Sequence, residues 1–187
     1  QTVTPSGSAS PGDALRGLPV ISNDIGMRSR VADMSRSQEW GRAVERLSPI
    51  DDPSLVPEAL DNLVDAAVAL YPAWASAGPV MLVHVATAPR AASLVVRHLP
   101  QELWIPTYAH AWIASATMAS AYRPATTEAS PDSHAEEPDE DDIVDRIVTT
   151  GDEHAFKFAE VALESFRRRG PVALLAADWA ANLIGGA

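Results

Sequence analysis

Leu60, Leu63, Val64, Ala67, Val68 and Tyr71 recur at the three- and four-residue spacing that places them along one side of an α-helix. Nowhere does the chain sustain the apolar–polar alternation that a half-buried strand requires. These two features together predict an all-α fold. Asp61 and Asp65 are assigned to the far, solvent side of this helix, and Pro72 is expected to bend or end it. Further helices are expected over 37–47, capped by Ser37 and stopped by Pro49, and from about Pro106 to Tyr122. Three more follow in "DDIVDRIVTT", in "GDEHAFKFAEVALESFRRRG" with Asp152 as N-cap and Gly170 as stop, and in "PVALLAADWAANLIGG". The stretch 78–98 is apolar nearly all round and reads as either a central strand or a buried helix. Its alanines and helical neighbours favour helix, broken at Pro89 and resumed to about His98.

A chain of 187 residues with 47% apolar side chains can bury one real core. Residues 1–12 lie in "QTVTPSGSASPGD", whose Ser, Pro, Gly and Thr content resembles a linker, and are expected to be disordered. A start at Gln1 suggests a processed chain or part of a longer protein. Residues 13–187 are expected to form the helical domain, with an acidic flexible loop at 124–140. The net charge of −11 argues against nucleic acid or an anionic membrane as partner. The only basic run, Arg167 to Arg169, suits a helix C-terminus. No apolar run is read as reaching the roughly 18 residues of a membrane span, and no signal-peptide pattern opens the chain. The absence of cysteine excludes disulfides and thiolate sites and agrees with a cytoplasmic location.

No Gly-rich phosphate loop, nucleophile elbow or zincin motif is present. The acids at 139–142 lack the glycine and ligand spacing of a calcium loop. Histidine carries more information. His134 falls in the acidic loop, His98 at a helix end, and His110 off the line of Trp104, Tyr108 and Trp112. His84 is the only ionisable residue from Gly78 to Pro89, so it is expected to be buried, as a satisfied core histidine or as a metal ligand. His154 and Lys157 share one helix face. Lys157 is the sole lysine and has Phe156 and Phe158 beside it.

Two readings of Lys157 follow. With Glu153 four residues before and Glu160 three after, it belongs to a surface stripe supported by roughly 0.2–0.5 kcal/mol per pair. Alternatively, burial leaves a neutral amine that adds carbon dioxide. The resulting carbamate would serve as a carboxylate ligand beside His84 and His154. Two imidazoles and a carboxylate suit non-haem Fe(II) with open positions for oxygen.

The "H-x-x-T" at His84 and Thr87, and the "D-x-H-x-x-K-[FL]-x-E" from Asp152 to Glu160, resemble the C-terminal half of questin oxidase-like proteins. The resemblance extends over 13–184 and is strongest in 79–122 and 151–169. It implies a helical oxygenase that inserts oxygen into, or cleaves, a ring of an anthraquinone-like aromatic polyketide. It also implies an Fe(II) site with His84, His154 and carboxylated Lys157 as ligands, O2 as co-substrate and NADPH as candidate electron donor. Members carry further iron-binding histidines in an N-terminal half that this sequence lacks. A separate N-terminal polypeptide or a second subunit is therefore expected to complete the site. Trp104, Tyr108 and Trp112 are the candidate stacking wall for a flat substrate, with ordinary helix–helix core as the alternative. The competing functional class is a non-catalytic helical binding or interaction module.

Overall fold

The apolar stripe of residues 60–71 is the inner face of α4 (Val56–Trp74), where Leu60, Leu63, Val64 and Val68 are buried. This structure is a computed structural model, which describes residues 4–23, 25–126 and 139–185. Three short helices precede α4: α1 (Pro11–Arg16), α2 (Met27–Arg36) and α3 (Gln38–Glu45). After it come α5 (Pro79–Leu82), α6 (His84–Val96), α7 (Trp104–Tyr122), α8 (Glu140–Thr150), α9 (Glu153–Arg169) and α10 (Val172–Gly185). The fold is all-α, and no strand occurs among the described residues. α4 is central, packed by α1, α6, α7, α9 and α10, while α10 also covers α8 and α9. Tyr71 on α4 meets Phe158 on α9 with ring centroids 4.3 Å apart.

Helix ends follow local chemistry. Ser37 caps α3 by accepting from the Trp40 N–H, and Asp152 caps α9 by accepting from the His154 N–H. α9 ends at Gly170, whose φ of +81° is costly for any residue with a Cβ. Residues 127–138, most of the expected acidic loop and its His134, lie outside the described residues. Asp139 and Glu140, placed in that loop by the sequence reading, are instead the N-cap and first residue of α8.

Three expectations need correction. Residues 4–12, expected to be disordered, are ordered: 4–9 form a strap across the end of α3, and Ser10 caps α1, which begins at Pro11. The Ser6, Ala9 and Gly7 amides donate to the carbonyls of Glu45, Arg46 and Leu47, and the Ser48 amide donates back to Ala9. The carbonyls at a helix C-terminus have no partner within the helix, and the strap supplies donors there. Gly7 permits the approach, since a Cβ would lie 2.2 Å from the Arg46 carbonyl oxygen. Secondly, Asp65 is buried rather than solvated. The end of α9 covers it with Arg168 and Arg169, as detailed below.

Thirdly, Pro89 does not break the helix. α6 runs through it to Val96, and the discontinuity falls earlier, between α5 and His84. Proline cannot donate to the carbonyl four residues back, which is that of buried Val85. The hydroxyl of Ser115 on α7, itself fully buried, donates to that oxygen at 2.8 Å. Ser115→Ala is expected to leave the carbonyl unpaired and cost about 1–3 kcal/mol, lowering the melting temperature by roughly 2–4 °C per kcal/mol. The penalty should shrink in a Pro89→Ala background, where an amide can take over. A melting-temperature double-mutant cycle showing no coupling would sink this account.

The helical stretch Pro79–Val96 also reaches 18 residues with a mean hydropathy of 1.4, so by length and composition it passes the membrane-span threshold that the sequence reading denied it. Only 33% of it is buried, and Arg90 within it pairs with Glu160 of α9 at 2.8 Å.

Candidate functional site

Two helix starts meet at one point. His84 is the first residue of α6, and His154 stands in the first turn of α9. Packing α6 against α9 brings the two imidazoles edge to face, with centroids 5.5 Å apart and planes at 85°. Each ring has a local partner on Nδ1. Asp152, the cap of α9, accepts from the His154 backbone amide at 2.7 Å and lies 3.0 Å from its Nδ1. Thr87 Oγ1 lies 3.4 Å from Nδ1 of His84. The same pattern that reads as H-x-x-T and D-x-H in the sequence is therefore a pair of oriented rings.

His84, expected to be buried, is only half-buried, because it opens α6 where that helix meets the start of α9. The electrostatics still favour neutral imidazole there. Its pKa is lowered, first by burial, then by His154 and Lys157, with Glu153 opposing. Asp152 is held below the ordinary carboxylate range, first by the His154 backbone bond, then by contact with the ring. A carboxylate at this position orients a proton on Nδ1 toward itself and turns Nε2 away, the arrangement seen where a carboxylate stands behind a metal-binding histidine. His84 and His154 are thus fit to donate to a metal ion. Among the described residues, no group of three or more His, Cys, Asp or Glu is placed to hold one. Among the described residues, the pair offers two imidazole nitrogens, with no third side chain of these types placed to complete a metal site.

Lys157 is not buried, contrary to the premise on which a neutral amine was expected. Its side chain is 58% exposed, and its ammonium donates to Glu153 at 2.5 Å. Of its two aromatic neighbours, Phe158 faces the core and Phe156 faces solvent. The helical period separates them: residues 154, 158 and 161 turn inward, while 153, 156, 157 and 160 turn outward. An ammonium has no lone pair for carbon dioxide or metal. His98 and His110 are exposed and stand apart from the pair. The His98 amide donates to the Val95 carbonyl beyond the end of α6, and His110 Nδ1 contacts the Pro106 carbonyl at 2.7 Å.

Comparison with protein families, with curated proteins and with solved structures gives no match.

The aromatic line divides. Trp112 is fully buried, and its indole N–H donates to the Val44 carbonyl at 3.0 Å, so it belongs to the core between α7 and α3. Trp104 is half-buried at the start of α7 and donates to the Leu99 carbonyl. Tyr108 is buried, yet it lines a cavity of about 650 Å³ with Leu47, Ile50 and Val68 among its apolar walls. Burial pushes its hydroxyl pKa up to about 12. Neither His84 nor His154 lines this cavity, so Tyr108 and the imidazole pair do not share it.

The sequence reading missed Asp65. Its carboxylate accepts from Arg168 Nε and Nη2 at 3.1 and 2.6 Å and from Arg169 Nε at 2.8 Å. Arg167, the third of the run, pairs with Glu164. One signal was available: Asp65 lies between Val64 and Ala66 in the most apolar part of α4, where a solvated face has little room.

Proposed function

We propose that this chain contributes the two-histidine part of a non-haem iron centre in an oxygenase similar to questin oxidase-like proteins, acting on an aromatic polyketide. The observation that carries the reading is the edge-to-face pairing of His84 and His154, with Asp152 behind His154. Distant segments meet here through the very residues of the two family-like motifs. Iron, when bound, would supply the oxygen chemistry. This chain's share is to present two oriented nitrogens and to hold the His154 proton on Nδ1. Remaining ligands would come from a separate N-terminal polypeptide or a second subunit. Lys157 joins the ligand set only where its pairing with Glu153 is given up. No dinucleotide fingerprint occurs in the chain, so NADPH, if used, would act through a partner.

Metal titration tests this directly. The purified chain is expected to bind Fe(II), or Zn(II) as a redox-silent probe, through imidazole nitrogen. His84→Ala and His154→Ala should each abolish saturable binding, and Asp152→Asn should weaken it by roughly 10–100-fold. Lys157→Ala should leave the two-histidine share intact. Equal metal affinity in wild type and both histidine variants would remove the proposal.

A second reading is favoured by one specific observation. The acid-free stretch Pro79–Val96 is apolar yet only one-third buried, which suits a helical interaction module whose partner covers α6.

A further inference from the structure

The cavity beside Tyr108 has a composition of its own. It lies among α1, α4, α7, α9 and the start of α10, and its volume of about 650 Å³ falls within the range of small-molecule sites. Most of its wall is apolar. Two hydroxyl residues line it while being almost wholly withdrawn from solvent: Tyr108 is 3% and Ser165 is 1% exposed. Among the described residues neither hydroxyl forms a hydrogen bond, although buried polar groups are ordinarily paired. Neither oxygen is sealed within protein, since the fully enclosed unpaired side-chain atoms belong to Arg90, Arg123 and Asp178. Two unpaired donors therefore border an apolar space.

The cavity also borders a guanidinium with one free edge. Asp65 and Arg169 are its charged lining residues. Arg168, reaching Asp65 with two nitrogens, already neutralises that carboxylate, and Arg167 is matched by Glu164. Asp61 acts on Arg168 through space but does not line the cavity. Arg169 gives Nε to Asp65 and Nη2 to Asn62, which fixes the plane of its guanidinium and leaves Nη1 uncommitted. With 56% of its side chain exposed, Arg169 stands at the mouth, while the two hydroxyl residues are far less exposed.

We propose that this cavity is a binding site for a small monocarboxylate with an apolar body, its carboxylate held at Arg169 and its body against the apolar wall. Of the polar lining, Asp65 and Asn62 already accept from Arg168 and Arg169, and Ser10 donates to Asp13. Arg169 Nη1 and the Tyr108 and Ser165 hydroxyls remain able to donate, and an acceptor on the ligand complements them. A guanidinium already oriented by Asp65 and Asn62 loses little freedom on binding a carboxylate. The site is independent of the imidazole pair, because neither histidine lines it.

The test uses naphthoate and decanoate as probes, each against its primary amide, with binding measured by calorimetry on the intact chain. The acids should bind saturably, and the amides roughly 10–100-fold more weakly, as expected for losing a charge-assisted hydrogen bond. Arg169→Gln should cost the acids a similar factor and leave the amides unchanged, with Arg169→Lys intermediate. Arg168 still holds Asp65 in these variants, so the fold is retained. Ala69→Phe, at an exposed position on the lining, should block both acids without lowering the melting temperature. Added Zn(II) should leave every value unchanged, so failure of the metal proposal and failure of this one are separable. Saturable binding of neither acid, equal affinity for acid and amide, or unchanged affinity in Arg169→Gln or Ala69→Phe would each overturn the assignment.

Discussion

Asp65→Ala is expected to destabilise the protein by about 3 kcal/mol, at the lower end of the range for removing one member of a buried ion pair. Asp65 is 6% exposed and receives hydrogen bonds from two arginines on a different helix. Its loss leaves two guanidiniums facing each other where one carboxylate had joined them. The effect falls at the lower end because Arg168 and Arg169 keep 28% and 56% side-chain exposure and can turn toward water. Asp65→Asn preserves volume and accepting oxygen but not charge, and should cost less. Urea unfolding with an unchanged slope is the measurement. Asp61→Ala, one turn away on α4 and half-buried, is the control. A loss at Asp65 no larger than at Asp61 would remove the triad from any account of stability.

Trp112→Ala carries the second large effect, about 3–5 kcal/mol for a fully buried aromatic. Here the truncation also strips the Val44 carbonyl of its indole donor. The variant decides what the aromatic line is for. If Trp112 is core, Trp112→Phe recovers most of the packing but not the hydrogen bond, and Trp104→Ala, at a half-buried position, costs much less. If the line were a stacking wall for a flat ligand, Trp112→Ala would weaken ligand binding with little loss of stability. Thermal unfolding beside probe binding separates the two outcomes. An undestabilised Trp112→Ala would contradict the structure.

The helical architecture was legible because its signals are local. Apolar spacing located α4, and Ser37, Asp152 and Gly170 marked helix ends through their own side chains or backbone. What escaped depends on partners distant in sequence. The strap at residues 4–9 has the composition of a linker and is ordered by carbonyls some forty positions on. Pro89 looks like a breaker until Ser115 is seen answering Val85. Asp65 looks like a surface acid until α9 is laid over it.

The candidate site divides along the same line. The motif spacing indicated His84 and His154, and folding brings them together. The burial of Lys157 was inferred from two flanking phenylalanines, but neighbours in sequence point in different directions on a helix, and only Phe158 turned inward. The cavity left no trace in the sequence, because its lining is drawn from five separate segments.

The hydroxyl of Ser115 beside Pro89 has a consequence for inheritance. Pro89 leaves the Val85 carbonyl without its helical donor, and Ser115 supplies one. A lineage that replaces the proline releases the serine from its task, and one that loses the serine first must pass through a less stable intermediate. The order of substitution at the two positions is thus expected to matter: proline first is the route that keeps stability.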